Sequence, residues 1–518
     1  MDTSTTSPLA TIEPRLRTLL PADLYATAWL DPSAVSLQRV FEHLRTLQRI
    51  LYNYVPRHVS EVMPHPGDVR FEWQAGTLMF TDLAGFTPLM EANAKFGKLG
   101  AKTLLTVLNT YFAKMIDIIN KSGGNLLEFT GDALLAEFLP DQRRNDVVQA
   151  VRAGLRMQRA MAAFNQIETD LGTFSLGMRI GIHTGRFLRA DIGTPRRMDH
   201  VLLGHDVQAT KLTEGAGKRG RVNLSMTAYE RIKDQFHVED GEQGYKLVID
   251  DLSDEQLGEF DIAPAARRMG TQLLLDRSVD GLLNEITSGL RLVEPLAAYV
   301  PMPILNLLVE NTARREIPPD FLAPTIVFVN LIGLSEAIEA ADADEIVALI
   351  AIFSRIFTMV NAAVETRGGV LKKVTYHLSG SDIMIYFGAP QSHSDDPVRA
   401  SEAALAIRDI IENFPAPVVG GQPQPLRSKI GLSRGSVFAA EIGEPRGRRE
   451  FNILSDAVNT AARLMARAEL GQILMTGAVQ SELGDHFETI DLGSVQLKGK
   501  AAPQRLFTLV GHTDNHDS

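Results

Sequence analysis

Two aspartates of the sequence stand where the chain turns, and their side chains can share one site. Asp82 ends an apolar segment just before Gly85, and Asp132 lies at the turn of a predicted hairpin. If the first strand lies beside the hairpin in one sheet, both carboxylates project into the same place, where a divalent cation relieves their mutual repulsion. The pair therefore predicts a metal site. The alternative is that Asp82 caps a helix and Asp132 serves only the turn.

The elements that would position these aspartates occur twice in the chain. Tyr54-Val55-Pro56 recurs as Tyr299-Val300-Pro301, and the strand that carries Asp82 recurs around Asn330. Each half predicts a strand, helices closed by Gly-Gly, a hairpin, another helix and another strand. Apart from the hairpins, these elements cover 77–82, 98–121, 143–164 and 176–183 in one half, and 325–330, 343–366, 396–413 and 427–432 in the other. The βαββαβ order predicts an α+β fold with two ferredoxin-like domains.

The repeat divides the chain into four predicted parts. They are an N-terminal helical segment (1–75), a first domain (76–262), a helical linker (263–322) and a second domain (323–512). Residues 36–52 and the linker have the apolar spacing of amphipathic helices. Such helices usually pack on their own domain, and pairing between them is the alternative.

Composition limits the class of protein. A length of 518 residues with 45% hydrophobic and 22% charged residues is typical of globular domains, and the net charge of −11 argues against a nucleic-acid partner. The absence of cysteine excludes disulfides and thiolate chemistry. The most apolar window, 346–364, contains Ser354, Arg355 and Asn361, which favours a buried core helix over a membrane span. With no signal peptide at its N-terminus, the protein is expected to be cytoplasmic.

Three segments carry the signatures of a known family. The first domain contains Phe80-Thr81-Asp82-Leu83-Ala84-Gly85-Phe86-Thr87 and Gly131-Asp132-Ala133-Leu134-Leu135-Ala136, and the second contains Val458-Asn459-Thr460-Ala461-Ala462-Arg463-Leu464. These motifs resemble those of class III nucleotidyl cyclases over about residues 77–262 and 324–512. The tandem arrangement resembles that of soluble adenylyl cyclases. The resemblance implies that the two domains pair as an intramolecular pseudo-two-fold heterodimer, with catalytic sites at their interface.

The two domains have lost opposite sets of the family's residues. The first keeps Asp82 and Asp132, and the second keeps Asn459 and Arg463. One pairing of half-sites therefore assembles a complete site, and the other assembles a degenerate one, in which Lys211 is also expected. The replacements at the lost positions are Gln208 and Leu212 in the first domain, and Asn330 and Ser381 in the second.

The resemblance also implies a role for each residue of the complete site. Asp82 and Asp132, with the carbonyl of Leu83, would hold two Mg²⁺ or Mn²⁺ ions. One ion would activate the 3′-hydroxyl of the nucleotide, and the other would neutralise the triphosphate. Asn459 would orient the ribose, and Arg463 would meet the charge that develops on the α-phosphate.

Four further residues match substrate-binding positions of the family. Arg186, directly after Gly181-Ile182-His183-Thr184-Gly185, and Lys500 match contacts to the triphosphate, although Arg186 can equally be a solvated residue at a strand edge. Lys373 and Asn452 match the positions that read the purine. Asn452 fits either base, because its amide can accept from an adenine amino group or donate to a guanine carbonyl. A lysine donates to N1 of adenine but is repelled by the protonated N1 of guanine, so ATP is favoured over GTP.

The predicted function is therefore that of an adenylate cyclase, which forms 3′,5′-cyclic AMP and pyrophosphate from ATP. A guanylate cyclase and a non-catalytic nucleotide-binding regulatory module are the alternatives. The activator is left open, and it can be a regulatory protein or a small molecule bound at the degenerate site.

Overall fold

The computed structural model describes residues 9–142, 144–258, 260–261, 276–377, 380–444, 447–497 and 502–513. Lys500 and the first part of the predicted linker lie outside the described residues. Both predicted domains are described over the strands and helices that carry the remaining candidate residues.

A layer of helices precedes the first domain. Its longest member buries Leu37, Val40, Leu44 and Leu47, a spacing that places one apolar stripe on one side of a helix. The helices are α1 (Glu13–Leu16), α2 (Ala22–Leu30), α3 (Ala34–Tyr52) and α4 (Arg57–Glu61).

The first domain is built on an eight-stranded sheet. Its elements are β1 (Arg70–Ala84), α5 (Phe86–Ala94), α6 (Gly97–Lys121), β2 (Asn125–Thr130), β3 (Ala133–Phe138), α7 (Asp146–Ala160), β4 (Ile167–Thr169), β5 (Gly172–Phe174), β6 (Gly177–Thr194), β7 (Arg197–Leu203), α8 (His205–Gly215), β8 (Val222–Leu224), α9 (Met226–Glu230), β9 (Val238–Asp240) and β10 (Lys246–Val248). The strand order is β2-β3-β1-β6-β8-β10-β9, and β7 pairs with β6. The separate hairpin β4–β5 lies outside this sheet.

The linker and the second domain follow. Their elements are α10 (Val279–Ala297), α11 (Met302–Glu310), β11 (Asp320–Leu322), β12 (Thr325–Ile332), α12 (Leu334–Ala340), α13 (Ala343–Glu365), β13 (Val370–His377), β14 (Gly380–Phe387), α14 (Asp396–Glu412), β15 (Val418–Val419), β16 (Gln422–Pro423), β17 (Arg427–Arg434), β18 (Val437–Gly443), β19 (Arg449–Leu454), α15 (Asp456–Arg467), β20 (Ile473–Thr476), α16 (Gly477–Gln480), β21 (Phe487–Val495) and β22 (Gln504–His512). The order β13-β14-β12-β17-β20-β22-β21 repeats that of the first domain, and β18 forms a smaller sheet with β11 and β19.

The sheet order confirms the predicted fold class. In the first domain β1 lies between β3 and β6, antiparallel to both, and β2 pairs antiparallel with β3. This is the ferredoxin-like arrangement of a βαββαβ chain. Strand β1 is longer than the predicted 77–82, because its first part, from Arg70, also pairs with β6. This first part is only partly buried and alternates polar with apolar residues.

Contacts between the two domains come in equivalent pairs. The hydroxyl of Tyr54 donates to Glu441 Oε2 of the second domain at 2.5 Å, and the hydroxyl of Tyr299 donates to Asp191 Oδ1 of the first domain at 2.9 Å. Helix α6 packs against β18, and α13 packs against β6. The two domains therefore pair about a pseudo-two-fold axis.

The helices before each domain pack against each other. Buried residues of α3 and α10 form one apolar cluster, which also includes residues of the second domain's sheet such as Phe328 and Tyr386. Of the two arrangements expected from sequence, the structure has the paired one.

Helix α13 contains the most apolar window of the sequence. Among the described helices it alone is long and apolar enough, by length and composition, to cross a membrane, and 50% of that window is buried. Phe353, Phe357 and Val360 belong to a core cluster shared by both domains. This burial agrees with the predicted core helix.

Candidate active site

The first half of the candidate site lies at the end of β1. Asp82 and Leu83 precede Gly85, which adopts a φ of +93°. A Cβ atom at Gly85 would lie 2.2 Å from the carbonyl oxygen of Ser175, so the turn requires glycine. This turn ends β1 and leaves Asp82 partly exposed beside the next helix.

The hairpin β2–β3 supplies the second carboxylate. Asp132 follows Gly131, whose φ of +66° closes the turn. The backbone N–H of Leu134 donates to Thr81 Oγ1 at 3.1 Å, which ties the start of β3 to the end of β1. The two aspartates therefore stand at the same edge of the sheet, as the sequence predicts.

The two carboxylates influence each other electrostatically. Burial and the negative charge of Asp82 raise the pKa of Asp132 to about 7, although Lys211 and a backbone hydrogen bond oppose the shift. A raised carboxyl pKa is the expected result of confining two like charges. The site therefore favours a bound cation.

Helix α15 supplies the residues of the second domain. The helix begins after Ser455, whose hydroxyl accepts a hydrogen bond from the backbone N–H of Val458 at 3.3 Å. The helix packs tightly on β17, because a Cβ atom at Gly431 would lie 2.3 Å from the carbonyl oxygen of Ala461. Asn459 and Arg463 lie on the side of the helix that lines a cleft between the domains.

That cleft has a volume of about 590 Å³, and residues of both domains line it. Asp82, Leu83 and Asp132 come from the first domain, and Asn459 and Arg463 come from the second. These are the five residues that the sequence assigns to metal binding and catalysis, and the structure brings all of them to one place.

Sequence reasoning missed Arg179, which also lines the cleft. It lies on β6 directly opposite Asp82, and its Nη2 atom is 2.5 Å from Asp82 Oδ2 and 3.2 Å from Glu214 Oε1. The available signal was an arginine inside the mostly apolar predicted strand 176–183. Arg467 of α15 is a second missed cation of the lining.

The predicted purine-reading residues lie beside the cleft, but neither belongs to the described residues that line it. Lys373 is 7% exposed, donates to the carbonyl oxygen of Phe129 and stands 3.5 Å from Glu128 Oε1. Asn452 is 1% exposed and donates to the carbonyl oxygen of Gly131 at 3.2 Å.

Of the two predicted triphosphate contacts, Arg186 is not among the described residues that line the cleft. Arg186 is exposed, and its guanidinium stacks on the ring of Trp73 at 4.1 Å from the ring centroid. Lys500 lies outside the described residues, and the described part of that segment ends at Leu497, which lines the cleft.

The equivalent positions of the second domain carry no comparable pair of carboxylates. Asn330 takes the place of Asp82 and donates to Asp382 Oδ1 at 2.7 Å. Asp382 lies opposite Asn330 in the strand ladder, fully buried, and burial raises its pKa well above the usual value. Lys211 is held by Glu214 Oε2 at 2.7 Å and by the ring of Phe80.

The ligands in the cleft fit a hard divalent cation. No group of three or more histidine or acidic side chains with metal-binding geometry occurs in the described parts of the chain. Two carboxylates and the carbonyl of Leu83 are oxygen donors, and Mg²⁺ in nucleotide enzymes is bound by one or two carboxylates together with substrate phosphates. Asp82 and Asp132 therefore suit Mg²⁺ or Mn²⁺.

The fold and the cleft together define a protein with paired class III nucleotidyl cyclase domains. A family model, the adenylate and guanylate cyclase catalytic domain, matches residues 72–246 and 320–511. The chain belongs to this family.

Two curated relatives show how far the similarity extends. Adenylate cyclase type 10 of Mus musculus is 24% identical over 408 residues, which are 75% of this chain and 23% of the relative. An adenylate cyclase of Mycobacterium tuberculosis is 29% identical over 218 residues, 42% of this chain and 45% of the relative. The chain thus spans about a quarter of the length of the first relative.

A solved structure matches most of the chain. It is a class III adenylyl cyclase-like ATP-binding protein from Pseudomonas aeruginosa, 13% identical, with a TM-score of 0.55 over 86% of this chain and 93% of that one. At this identity the match supports the tandem fold alone.

Proposed function

We propose that this chain is an adenylate cyclase, which converts ATP to 3′,5′-cyclic AMP and pyrophosphate at one site between its two domains. The observation that carries the proposal is the shared cleft, which Asp82, Leu83 and Asp132 line from one domain and Asn459 and Arg463 from the other. In this reaction the 3′-oxygen bonds to the α-phosphorus, the bond to the pyrophosphate oxygen breaks, and the hydroxyl proton is released.

The first domain supplies the metal ligands. Asp82, Asp132 and the carbonyl of Leu83 would hold two Mg²⁺ or Mn²⁺ ions. When bound, such ions lower the pKa of a coordinated hydroxyl and neutralise phosphate charge. The pKa of Asp132, which burial and the nearby charge of Asp82 raise, supports this assignment.

The second domain supplies the groups that contact the reacting phosphate and the ribose. Arg463 Nη1 is buried and makes no hydrogen bond to any described residue, and Asp456 Oδ1 is 3.8 Å away. This guanidinium group is therefore available to an oxygen of the α-phosphate, where it stabilises the charge that develops in the transition state. Asn459, one helical turn earlier on α15, would hydrogen-bond to the ribose.

Arginines in the cleft explain how an acidic protein holds a polyanion. Although the net charge is −11, Arg179, Arg463 and Arg467 all line the cleft. Local charge, together with bound metal ions, determines the binding of a triphosphate more than the net charge does.

ATP is the proposed substrate because of the residues at the purine-reading positions. An ammonium group donates to N1 of adenine, and the amide of Asn452 can accept from the adenine amino group. Lys373 donates to the carbonyl oxygen of Phe129, so base recognition requires its ammonium group to change partner. The relatives named adenylate cyclases are consistent with this preference.

The second pseudo-site would be catalytically inactive. Asn330 and Ser381 stand at its metal positions, and an amide and a hydroxyl do not replace two carboxylates as ligands for a divalent cation. The hydrogen bond from Asn330 to Asp382 supports this assignment, because the carboxylate of Asp382 already accepts from the amide of Asn330.

Product analysis tests the proposal. The purified chain is incubated with Mn²⁺ and either ATP or GTP, and the products are separated by chromatography. We expect cyclic AMP and pyrophosphate from ATP, and neither product from the Asp82→Asn variant. Cyclic GMP as the main product would establish a guanylate cyclase. No cyclic product from either nucleotide would contradict the enzyme and favour a non-catalytic nucleotide-binding module.

A further inference from the structure

Arg179 lies between two carboxylates that belong to different elements. Its Nη2 atom is 2.5 Å from Asp82 Oδ2, at the end of β1, and 3.2 Å from Glu214 Oε1, on α8. The guanidinium group forms a hydrogen bond with Asp82, whereas its contact with Glu214 is an ion pair without a hydrogen bond. Arg179 therefore interacts more strongly with Asp82 than with Glu214.

Glu214 is a fixed partner rather than a mobile surface residue. Its side chain is 1% exposed, and Lys211 Nζ binds its other oxygen at 2.7 Å. Helix α8 is pressed against β6 at Gly181, where a Cβ atom would lie 2.2 Å from the backbone nitrogen of Glu214. Glu214 Oε1 therefore remains close to Arg179 whatever Asp82 binds.

A cation at Asp82 changes the balance between these two partners. Arg179 and a divalent ion compete for the same carboxylate, and they repel each other at short distance. The side chain of Arg179 is 34% exposed, so it can shift. A small movement toward Glu214 converts the existing ion pair into a charge-assisted hydrogen bond.

We propose that Glu214 is a positioning residue, which accepts the Arg179 guanidinium when a divalent cation binds at Asp82. Before the cation binds, Arg179 neutralises Asp82, and Glu214 provides the second position to which Arg179 moves. This inference rests on the metal site of the proposed function. It concerns which carboxylate Arg179 contacts before and after the cation binds, and not the cyclisation reaction.

Binding of Mn²⁺ alone, without nucleotide, provides the test. Free Mn²⁺ is measured by electron paramagnetic resonance in titrations of the full chain. Arg179→Ala removes the competitor and is expected to tighten the Asp82-dependent Mn²⁺ binding by about tenfold, and Glu214→Gln removes the second position and is expected to weaken it by about fivefold.

The double variant separates this mechanism from simple electrostatics. If Glu214 acts through Arg179, the combined variant Arg179→Ala, Glu214→Gln binds Mn²⁺ as tightly as Arg179→Ala alone. If Glu214 only adds negative charge near the site, its replacement weakens binding by the same factor in both backgrounds, which would overturn the proposal. Glu137→Gln is the matched control, because Glu137 is a buried glutamate 3.6 Å from Arg189 and outside the lining of the cleft.

The remaining outcomes are also decisive. If Arg179→Ala binds Mn²⁺ more weakly than the native chain, the proposal is contradicted, and this result does not depend on whether Glu214→Gln folds. The proposal is also contradicted if neither the native chain nor Arg179→Ala shows Mn²⁺ binding that depends on Asp82. Formation of cyclic AMP with unchanged Mn²⁺ affinities would refute this inference and leave the proposed function standing. The expected Mn²⁺ affinities without any cyclic product would refute the function and leave the inference standing.

Discussion

Each domain supplies residues to the cleft that the other domain lacks. Asp82 and Asp132 have no equivalents at Asn330 and Ser381, and the counterpart of Asn459 is Gln208. Random decay of a duplicated enzyme would remove residues without regard to the site they serve. The complementary pattern instead preserves one complete set, and the structure brings that set to one cleft.

Replacement of Arg463 is the most informative change at this scale. We expect Arg463→Ala to lower the rate of cyclic AMP formation by ~10²–10³-fold, as removal of a group that stabilises a transition-state charge does. Steady-state kinetics with ATP and Mn²⁺ measures the loss. Gln208→Ala, at the equivalent position of Asn459 in the degenerate pseudo-site, is the matched control and should retain activity within about twofold. If Gln208→Ala lowered the rate as much as Arg463→Ala does, the proposal of a single site would be contradicted.

The candidate site could be predicted from sequence only in part. Motif spacing located Asp82, Asp132, Asn459 and Arg463, because turns and a helix face are local features. Arg179 was missed, since its contact with Asp82 depends on the register between two distant strands. The partners of Lys373 were also unpredictable, because Glu128 and the carbonyl of Phe129 belong to the other domain.

At the scale of elements, ion pairs connect β13 to β19 next to the domain interface. Lys372 Nζ is 2.5 Å from Glu450 Oε1, and Lys373 Nζ is 3.8 Å from the same oxygen. Burial alone would raise the pKa of Glu450, but the charges of Lys372, Lys373 and Arg448 outweigh it and lower the pKa to about 2. The charged form of Glu450 therefore stabilises this part of the fold.

This shift predicts a specific dependence of stability on pH. Since the pKa of Glu450 is lower in the folded than in the unfolded chain, its contribution is complete above about pH 4.5 and is lost as the pH falls through about 2. We expect Glu450→Gln to reduce the free energy of unfolding by about 3 kcal/mol at pH 7, and by progressively less in acid. Urea unfolding at a series of pH values measures the difference. The exposed Glu482→Gln is the control, and a deficit for Glu450→Gln that stays constant down to pH 2 would contradict the prediction.

Sequence patterns predicted the type and order of the elements better than their limits. Helices α6 and α13 end within one residue of the predicted limits, at Lys121 and Glu365, shortly before Gly123 and Gly368, whose φ angles are positive. Strands β1 and β6 both extend beyond the predicted ranges, because they pair with each other along the whole of β1, from Arg70 to Ala84. Pairing of that kind depends on the partner strand, which a local pattern does not contain.

At the scale of the whole molecule, the segments before each domain hold the two domains together. Tyr54 and Tyr299 are equivalent residues of the repeat, and each hydrogen-bonds to a carboxylate of the opposite domain. Helices α3 and α10 add a shared apolar core. Each domain is therefore attached to the other by the chain that leads into it.

The contact between α3 and α10 predicts opposite effects of two substitutions at one glycine. A Cβ atom at Gly289 would lie 4.0 Å from Leu44, which is ordinary van der Waals contact. Gly289→Ala should therefore fit and raise stability by up to about 1 kcal/mol through helix propensity. Gly289→Leu should overpack the contact and cost about 1–3 kcal/mol. Thermal unfolding of the two variants measures both effects, and equal midpoints would contradict this packing.

The proposed site forms within a single chain, from residues of both of its domains. The most direct measurement is cyclic AMP formation by an equimolar mixture of Asp82→Asn and Arg463→Ala chains, compared with each variant alone and with the native chain. Because each variant damages the same intramolecular site, we predict that the native chain is active and the mixture is as inactive as its components. Recovery of activity in the mixture would mean that the domains of different chains combine, and it would contradict the account.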